Sequence, residues 1–342
     1  PIHQPDGQMT VGHQFMSSPM LLEYFKGVVY VQDQHRCFTP DGQMLEQGRF
    51  RATYGGYEFA VTHDGKSTRN AWEAFVENQT VRLSKVATTC FRPEIESGAL
   101  IEESGRSMVN VYTPITTPRV SGDPSPFLKH MNKLFPDQRD STIMISYMAA
   151  VLQYPGEKFQ WAPIVQGGEG NGKSLIGRVL EFGTGSKYTH IPSAKDLDNQ
   201  FNGWIVNKLL IVVEELFIGH KREMIEALKP LITNDRIEVQ SKGVDQITGD
   251  NRSNWILFTN HKDGIIISKD GRRYAIFYTP QQTARDLTKW GMNELYFTKL
   301  YNWLKREQGY EIVNNYLREF VIPAEFNPAT SCQRAPQTTS TD

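Results

Sequence analysis

The segment Gly167 to Ser174, GGEGNGKS, restricts what this chain can fold into more than any other. It is a full match to G-x-x-x-x-G-K-[ST], a pattern that works only as a sharp turn between a β-strand and the first turn of a helix. Both flanks are present: Ala162-Pro163-Ile164-Val165-Gln166 reads as a strand, and SLIGRVLEF reads as a helix. The glycines Gly167, Gly168, Gly170 and Gly172, with Glu169 and Asn171 between them, let backbone N–H groups turn inward around a β-phosphate. Lys173 supplies the cation that reaches β- and γ-oxygens, and the Ser174 hydroxyl ligates Mg²⁺. At ordinary glycine usage such a match arises by chance roughly once in a hundred chains of this length. The chain is therefore expected to bind ATP with Mg²⁺.

Two apolar strands follow the loop. Leu209-Leu210-Ile211-Val212-Val213-Glu214-Glu215 ends in paired carboxylates. Placed beside the phosphate-loop strand, they would reach the γ-phosphate, with Glu214 on the metal and Glu215 activating the attacking water, the order being interchangeable. On its own the pair would read as a solvated helix cap. Trp255-Ile256-Leu257-Phe258-Thr259-Asn260-His261 ends in a polar pair. Asn260 is expected between the carboxylates and the loop, holding water or contacting the γ-phosphate; in isolation it would only start a turn. Arg272 and Arg273 lead into the strand YAIFY. A guanidinium held at a strand start suits transition-state charge on a phosphoryl group, and one acting in trans would place the active site between subunits. The alternative is a solvated pair beside a strand. Asp196-Leu197-Asp198 mimics a polymerase metal pair but lacks a second acidic cluster, and the eight histidines read as scattered surface residues. The aromatics between Tyr24 and Phe59 could stack bases, although core packing at strand spacing is the preferred reading.

Composition limits the partners. Lys+Arg 37 against Asp+Glu 38 gives a net charge of -1, which argues against a basic coat for nucleic acid without excluding a small basic site. No apolar run is long enough to cross a bilayer. Three cysteines, Cys37, Cys90 and Cys332, without metal-ligand spacing fit a reducing, cytoplasmic compartment better than a disulfide framework or a zinc site. The chain begins at Pro1 with no secretory leader and is expected to be an excised piece of a longer polypeptide.

Along the chain, residues Gly27 to Thr62, including GRFRATYGGYEFAVT, read as short β segments, and Ser67 to Val81 as a helix capped by Ser67 or Thr68. Thr113 to Pro126 reads as a linker. PFLKHMNKLFP and DSTIMISYMAAVLQYP read as amphipathic helices closed by proline. The alternation of strands and helices that follows predicts an α/β fold with a parallel sheet. The expected division is a β-rich or α+β accessory domain over 1–118, a linker and helical collar over 119–150, an NTPase core over 151–285, a helical segment over 286–326 and a disordered polar tail over 327–342.

The order and close spacing of GGEGNGKS, LLIVVEE, WILFTN and the DGRRY arginines resemble superfamily 3 helicases, the AAA+ enzymes of viruses, phages and plasmids. FNGWIVNKLLIVVEE, LKPLITNDRIEVQSKG and FTNH are similar in wording to the helicase portion of phage primase–helicase and primase–polymerase proteins. The resemblance covers about Pro126 to Pro280. It implies an AAA+ core and a hexameric ring of identical subunits moving 3′ to 5′ on single-stranded DNA in phage genome replication. It further implies ATP and Mg²⁺ as cofactors, no membrane, and a primase or polymerase domain on the same longer polypeptide. It makes Arg273 the arginine acting in trans, Arg272 a second sensor, and Lys242 with Gly243 the pore hairpin that grips phosphates, Lys229 being a second candidate. Two departures stand out: the acid pair is Glu-Glu rather than beginning with Asp, and no aromatic lies beside Lys242. Rival readings are an AAA+ ATPase of DNA packaging or remodelling, a nucleotide-gated DNA-binding assembly module without productive turnover, and, least, a P-loop kinase.

Overall fold

The structure, a computed structural model, describes residues 2–3, 9–10, 14–198, 202–216, 221–239, 247–261 and 271–341. The chain forms two compact units, Pro1–Pro114 and Ile115–Asp342.

The first unit is α+β. A four-stranded sheet runs in the order Met44–Leu45, Arg36–Phe38, Val29–Val31, Ser84–Val86, and a three-stranded one in the order Thr88–Cys90, Arg106–Asn110, Leu100–Glu103. Two stretches differ from expectation. Gln47–Tyr54, within the segment expected to be β, is a helix. Phe50 and Tyr54 stand four residues apart on one of its faces and their rings stack at 4.6 Å, so aromatic density here serves a helix-to-core contact. The helix expected from Ser67 begins at Ala71, because Ser67–Thr68 pair with Phe59–Ala60 and the side chain of Asn70, rather than of Ser67 or Thr68, caps it by accepting from Trp72 N. Phe25, Phe50, Phe59 and Phe75 are fully buried in one core with Tyr24, Tyr54 and Tyr57 packed around them, while Phe38 is buried in a second core with Val29, Val31, Val86 and Val109.

The second unit carries the phosphate loop. It opens with helices α1 (Ser125–Leu134) and α2 (Gln138–Gln153), the latter capped by the Asp137 carboxylate. Then come β1 (Ala162–Gln166), α3 (Leu175–Thr184), β2 (Thr189–His190), β3 (Leu210–Val213), α4 (Lys221–Thr233), β4 (Arg236–Val239), β5 (Ile247–Asp250), β6 (Asn254–Thr259) and β7 (Tyr274–Tyr278). Helices α5 (Ala284–Lys289), α6 (Glu294–Arg306) and α7 (Gly309–Glu319) follow; the break between α5 and α6, which the sequence does not announce, contains Gly291 at φ 64.

Five parallel strands form one sheet in the order β2-β3-β6-β1-β7. Alternate residues of each strand feed two cores. Val165, Val212, Phe258 and Phe277 meet α1, α2, α3 and α7, while Ile164, Ile211, Leu257 and Ile276 meet α4 and the β4–β5 hairpin. A sheet covered on both faces needs strands that are apolar over most of their length, as β1, β3 and β6 are. The order corrects one expectation: the carboxylate strand β3 does not lie beside the loop strand β1, because β6, which carries Asn260, runs between them.

The polar tail is the second correction. Residues expected to be disordered run along β7, whose outer side has no strand partner among the described residues. Ala335 N donates to Arg272 O (3.0 Å), Tyr278 N to Ser340 Oγ (2.8 Å) and Thr339 N to Asp140 Oδ1 (3.1 Å), while Trp161 Nε1 reaches Cys332 O (2.9 Å). A sheet edge covered in this way offers no template for another strand. The three cysteines are buried. Among the described residues no helix is long and apolar enough to cross a membrane.

Candidate nucleotide-binding site

The loop leaves the C-terminal end of β1 and enters α3, so the amides of the helix's first turn face the loop with their partial positive charge. Gly170 and Gly172 adopt φ 77 and 78, a left-handed conformation that glycine takes without penalty. Gly167 N donates to Thr259 O (3.2 Å) and Gly168 N to Gln281 O (2.8 Å), tying the loop to β6 and to the segment after β7. Asn171 is fully buried; its Nδ2 donates to Thr279 Oγ1 (2.9 Å) and its Oδ1 accepts from Lys173 N (3.2 Å).

Lys173 is 7% exposed, and its ammonium donates to Asn260 Oδ1 (2.5 Å) and Gly168 O (3.3 Å). Burial lowers its pKa, opposed by the carboxylates of Glu169 and Glu215. The cation is thus held by neutral oxygens, with two negative charges near enough to favour its charged form. Glu214 and Glu215 are exposed at the end of β3. Leu216 N continues the pairing with β6 by donating to Phe258 O (3.1 Å), which carries the pair toward the loop. Of the two, Glu215 is the one whose charge acts on Lys173. Ser174 makes no side-chain cap bond at the start of α3 and is partly exposed. A hydroxyl and exposed carboxylates are hard oxygen donors, which fit Mg²⁺.

The structure therefore brings Lys173 and Asn260 into contact at the loop, with Glu215 near enough for its charge to act on Lys173. It does not bring the arginines there. Ala162 pairs with Tyr274 and Gln166 with Tyr278, so Arg272 and Arg273 sit at the opposite end of the sheet, about 20 Å along the strand direction from Gly167. Arg272 is exposed, and Arg273 Nη1 donates to Gln160 O (3.1 Å). Lys229 lies on α4, paired with Glu226 at 2.6 Å as a helix-surface ion pair. Lys242 and Gly243 lie outside the described residues, in the connection between β4 and β5, which pair antiparallel from Arg236↔Asp250 to Val239↔Ile247. Asp196 caps the short helix Ala194–Asp198 by accepting from Ser193 N and Oγ, both at 2.8 Å.

Two features escaped the sequence reading. Gln166 and Gln282 exchange reciprocal amide bonds at 2.9 Å, locking the end of β1 to the lead-in of α5. His130, read as a surface residue, is instead fully buried behind the loop, with Nε2 at 3.1 Å from Gly172 O and Nδ1 at 2.9 Å from the Tyr296 hydroxyl. Its spacing from Phe127 and Leu134 on one apolar helix face was the available signal.

Residues 165–273, which span most of this site, match a family of unknown function, DUF5906. Over 184 residues the chain is 25% identical to the DNA primase-polymerase of Nitratiruptor phage NrS-1, covering 51% of this chain and 25% of that protein. The chain thus spans about a quarter of the length of this curated relative. Among solved structures, the A-form apo structure of the NrS-1 C-terminal region is similar at TM-score 0.67 and 18% identity, covering 94% of this chain and 72% of that one. A second apo structure of the same region gives TM-score 0.66 at 18% identity, with 91% and 70% covered. The mixed α/β fold with its parallel sheet is shared with that C-terminal region.

Proposed function

We propose that this chain is the ATP-hydrolysing engine of a ring helicase or translocase on single-stranded DNA, acting in phage genome replication in the host cytoplasm. The observation that carries the reading is the contact of Lys173 with Asn260 across the phosphate loop, under the charge of Glu215. A Gly-rich turn with no ligand would have no reason to bury a lysine against a neighbouring strand's asparagine. The sheet order supports an AAA+ core of the superfamily 3 kind, since it sets the asparagine strand between the loop and the carboxylates. Similarity to a phage protein called a DNA primase-polymerase supports the replication setting and a synthetic domain on a longer polypeptide.

The mechanism follows from the side chains. Mg²⁺, if held here, would supply positive charge against the negative charge that develops on the phosphoryl group. Ser174 and one carboxylate, Glu214 in our assignment, would hold it. The γ-phosphate competes with Asn260 for the Lys173 ammonium, because a phosphate oxygen is a stronger acceptor than an amide. As Lys173 turns to phosphate, the Asn260 amide is released to orient water, and Glu215 takes its proton. Arg273 of a neighbouring subunit, with Arg272 as second sensor, would complete the charge. The β4–β5 connection carrying Lys242 and Gly243 would follow the nucleotide state and pull the strand 3′ to 5′ through a hexamer.

Lys173→Ala is expected to abolish ATP hydrolysis and strand displacement. An unchanged rate would sink the site assignment. Lys242→Ala is expected to keep basal hydrolysis and lose its stimulation by single-stranded DNA, which separates a strand motor from an ATPase of packaging or remodelling.

A further inference from the structure

Phosphate chemistry does not call for a histidine, yet the loop is built against one. His130 comes from α1, ahead of the strand-loop unit in the chain, and reaches the back of the loop between Gly172 and Tyr296. Resting on the nucleotide-binding reading above, we propose that His130 is a positioning residue: it fixes the peptide that carries Lys173, and Tyr296 sets its tautomer.

The hydrogen bonds permit one arrangement. Gly172 O accepts from Leu175 N (3.0 Å), and its second lone pair faces His130 Nε2 at 3.1 Å. A carbonyl cannot donate, so Nε2 carries the ring proton and Nδ1 accepts from the Tyr296 hydroxyl at 2.9 Å. Burial keeps the ring neutral, its pKa pushed down to about 4. One donor and one acceptor are both used, and the neutral ring itself adds no charge behind Lys173.

The N–H of the same peptide is held on its other side. Lys173 N donates to Asn171 Oδ1 (3.2 Å), and Asn171 is tied to Thr279 just past β7 (2.9 Å). The plane of the Gly172–Lys173 peptide is thus set from the sheet through Asn171 and from the helical layer through His130. The rings leave it no slack: a Cβ on Gly172 would meet His130 Cε1 at 2.8 Å and Phe297 Cε1 at 2.9 Å. A loop held in its binding conformation loses less freedom when the nucleotide arrives. His130 touches no phosphate and acts through Gly172.

Two substitutions of similar size separate donor from bulk. His130→Gln can donate to Gly172 O and accept from Tyr296, whereas His130→Leu fills the space and donates nothing. In equilibrium titration with ATP and Mg²⁺, His130→Leu is expected to bind about tenfold more weakly than the parent and His130→Gln within about twofold. Amide exchange across Gly167 to Ser174 in the nucleotide-free protein should quicken only in His130→Leu. Equal affinities of the two variants overturn the proposal, since bulk would then hold the loop. Lys173→Ala, titrated alongside, isolates the broader reading: if it binds ATP like the parent, the nucleotide site itself is misplaced, whatever His130 does. Should both His130 variants unfold, Tyr296→Phe decides, because it removes a single hydroxyl. Binding about threefold weaker, with faster loop exchange, supports the relay; unchanged binding and exchange overturn it.

Discussion

Gly170 and Gly172 share one backbone conformation, φ 77 and 78, and differ in what surrounds them. A Cβ on Gly170 would find Leu287 Cδ1 at 3.9 Å, an ordinary contact, whereas one on Gly172 would lie 2.8 and 2.9 Å from the edges of His130 and Phe297. Alanine at either position costs the left-handed conformation, about 1–2 kcal/mol. Only at Gly172 does overpacking add about 1–3 kcal/mol more, because the two rings cannot easily give. His130 is pinned at both nitrogens, and Phe297 packs edge-on against it with ring centroids 6.2 Å apart. Comparing the two variants therefore cancels the backbone cost and leaves the packing. Urea unfolding followed by circular dichroism should give a loss of about 1–2 kcal/mol for Gly170→Ala and about 2–5 kcal/mol for Gly172→Ala. In a unit of about 150–250 residues each kcal/mol moves Tm by about 2–4 °C, so Gly172→Ala should melt at least a few degrees below Gly170→Ala. Equal losses would show that the rings yield, and would remove the packing support for a loop fixed from behind.

Two further outcomes test other parts of the molecule. Burial pushes Lys158 down to about 7, with Asp235 pulling weakly the other way. The unfolded chain keeps that proton up to about 10, so stability gains from Lys158 as pH rises from about 7, while below 7 both states are protonated and the penalty is at its full size. Melting temperatures from pH 6 to 9 should rise more steeply in the parent than in Lys158→Met; parallel curves would refute the assignment. In the first unit, Asn110 is fully buried and donates to Arg92 O and Ile95 O (both 2.9 Å) while accepting from Arg92 N (2.9 Å). Asn110→Ala should cost about 2–5 kcal/mol by orphaning these groups, and differential scanning calorimetry should show the loss in the transition of the first unit while the nucleotide-stabilised one stays put.

Local chemistry was legible in the sequence where one segment carries both its structure and its reason. The strand, loop and helix around GGEGNGKS are such a case, and β3, β6 and β7 were found as apolar runs. The sheet order was not legible, because Val212 pairing with Ile256, and Ile164 with Leu257, are long-range matches among strands of nearly identical composition. Gln47–Tyr54 was misread because Phe50 and Tyr54 fit a strand by residue type and a helix by spacing, and the core around Phe25 and Trp72 rewards the helix. The tail misled for the opposite reason. Its polar residues resemble a disordered segment, but Thr339 and Ser340 find partners in Asp140 and the free edge of β7. His130 shows the limit at the site itself: its burial was readable from helix spacing, whereas its partner Gly172 was readable only from the fold.

The register of β1 against β7 turns the arginine question into one of stoichiometry. Arg272 and Arg273 precede β7 at the end of the sheet opposite the loop, so within one chain the sheet stands between guanidinium and phosphate. If Arg273 serves hydrolysis, it must do so for another copy, and the contact is then heterologous: one subunit offers its loop and the next its arginine. Lys173→Ala keeps the arginine and loses the loop, and Arg273→Ala does the reverse. Each alone should be inactive, yet an equimolar mixture should recover about a quarter of the parent's sites, because half of the intact loops meet an intact arginine. Arg273 also donates to Gln160 O within its own chain, so Arg273→Ala must first be shown to bind ATP as the parent does. With that control met, a mixture that stays inactive would refute a trans-acting Arg273. Appreciable activity in Arg273→Ala alone would remove the arginine from the mechanism.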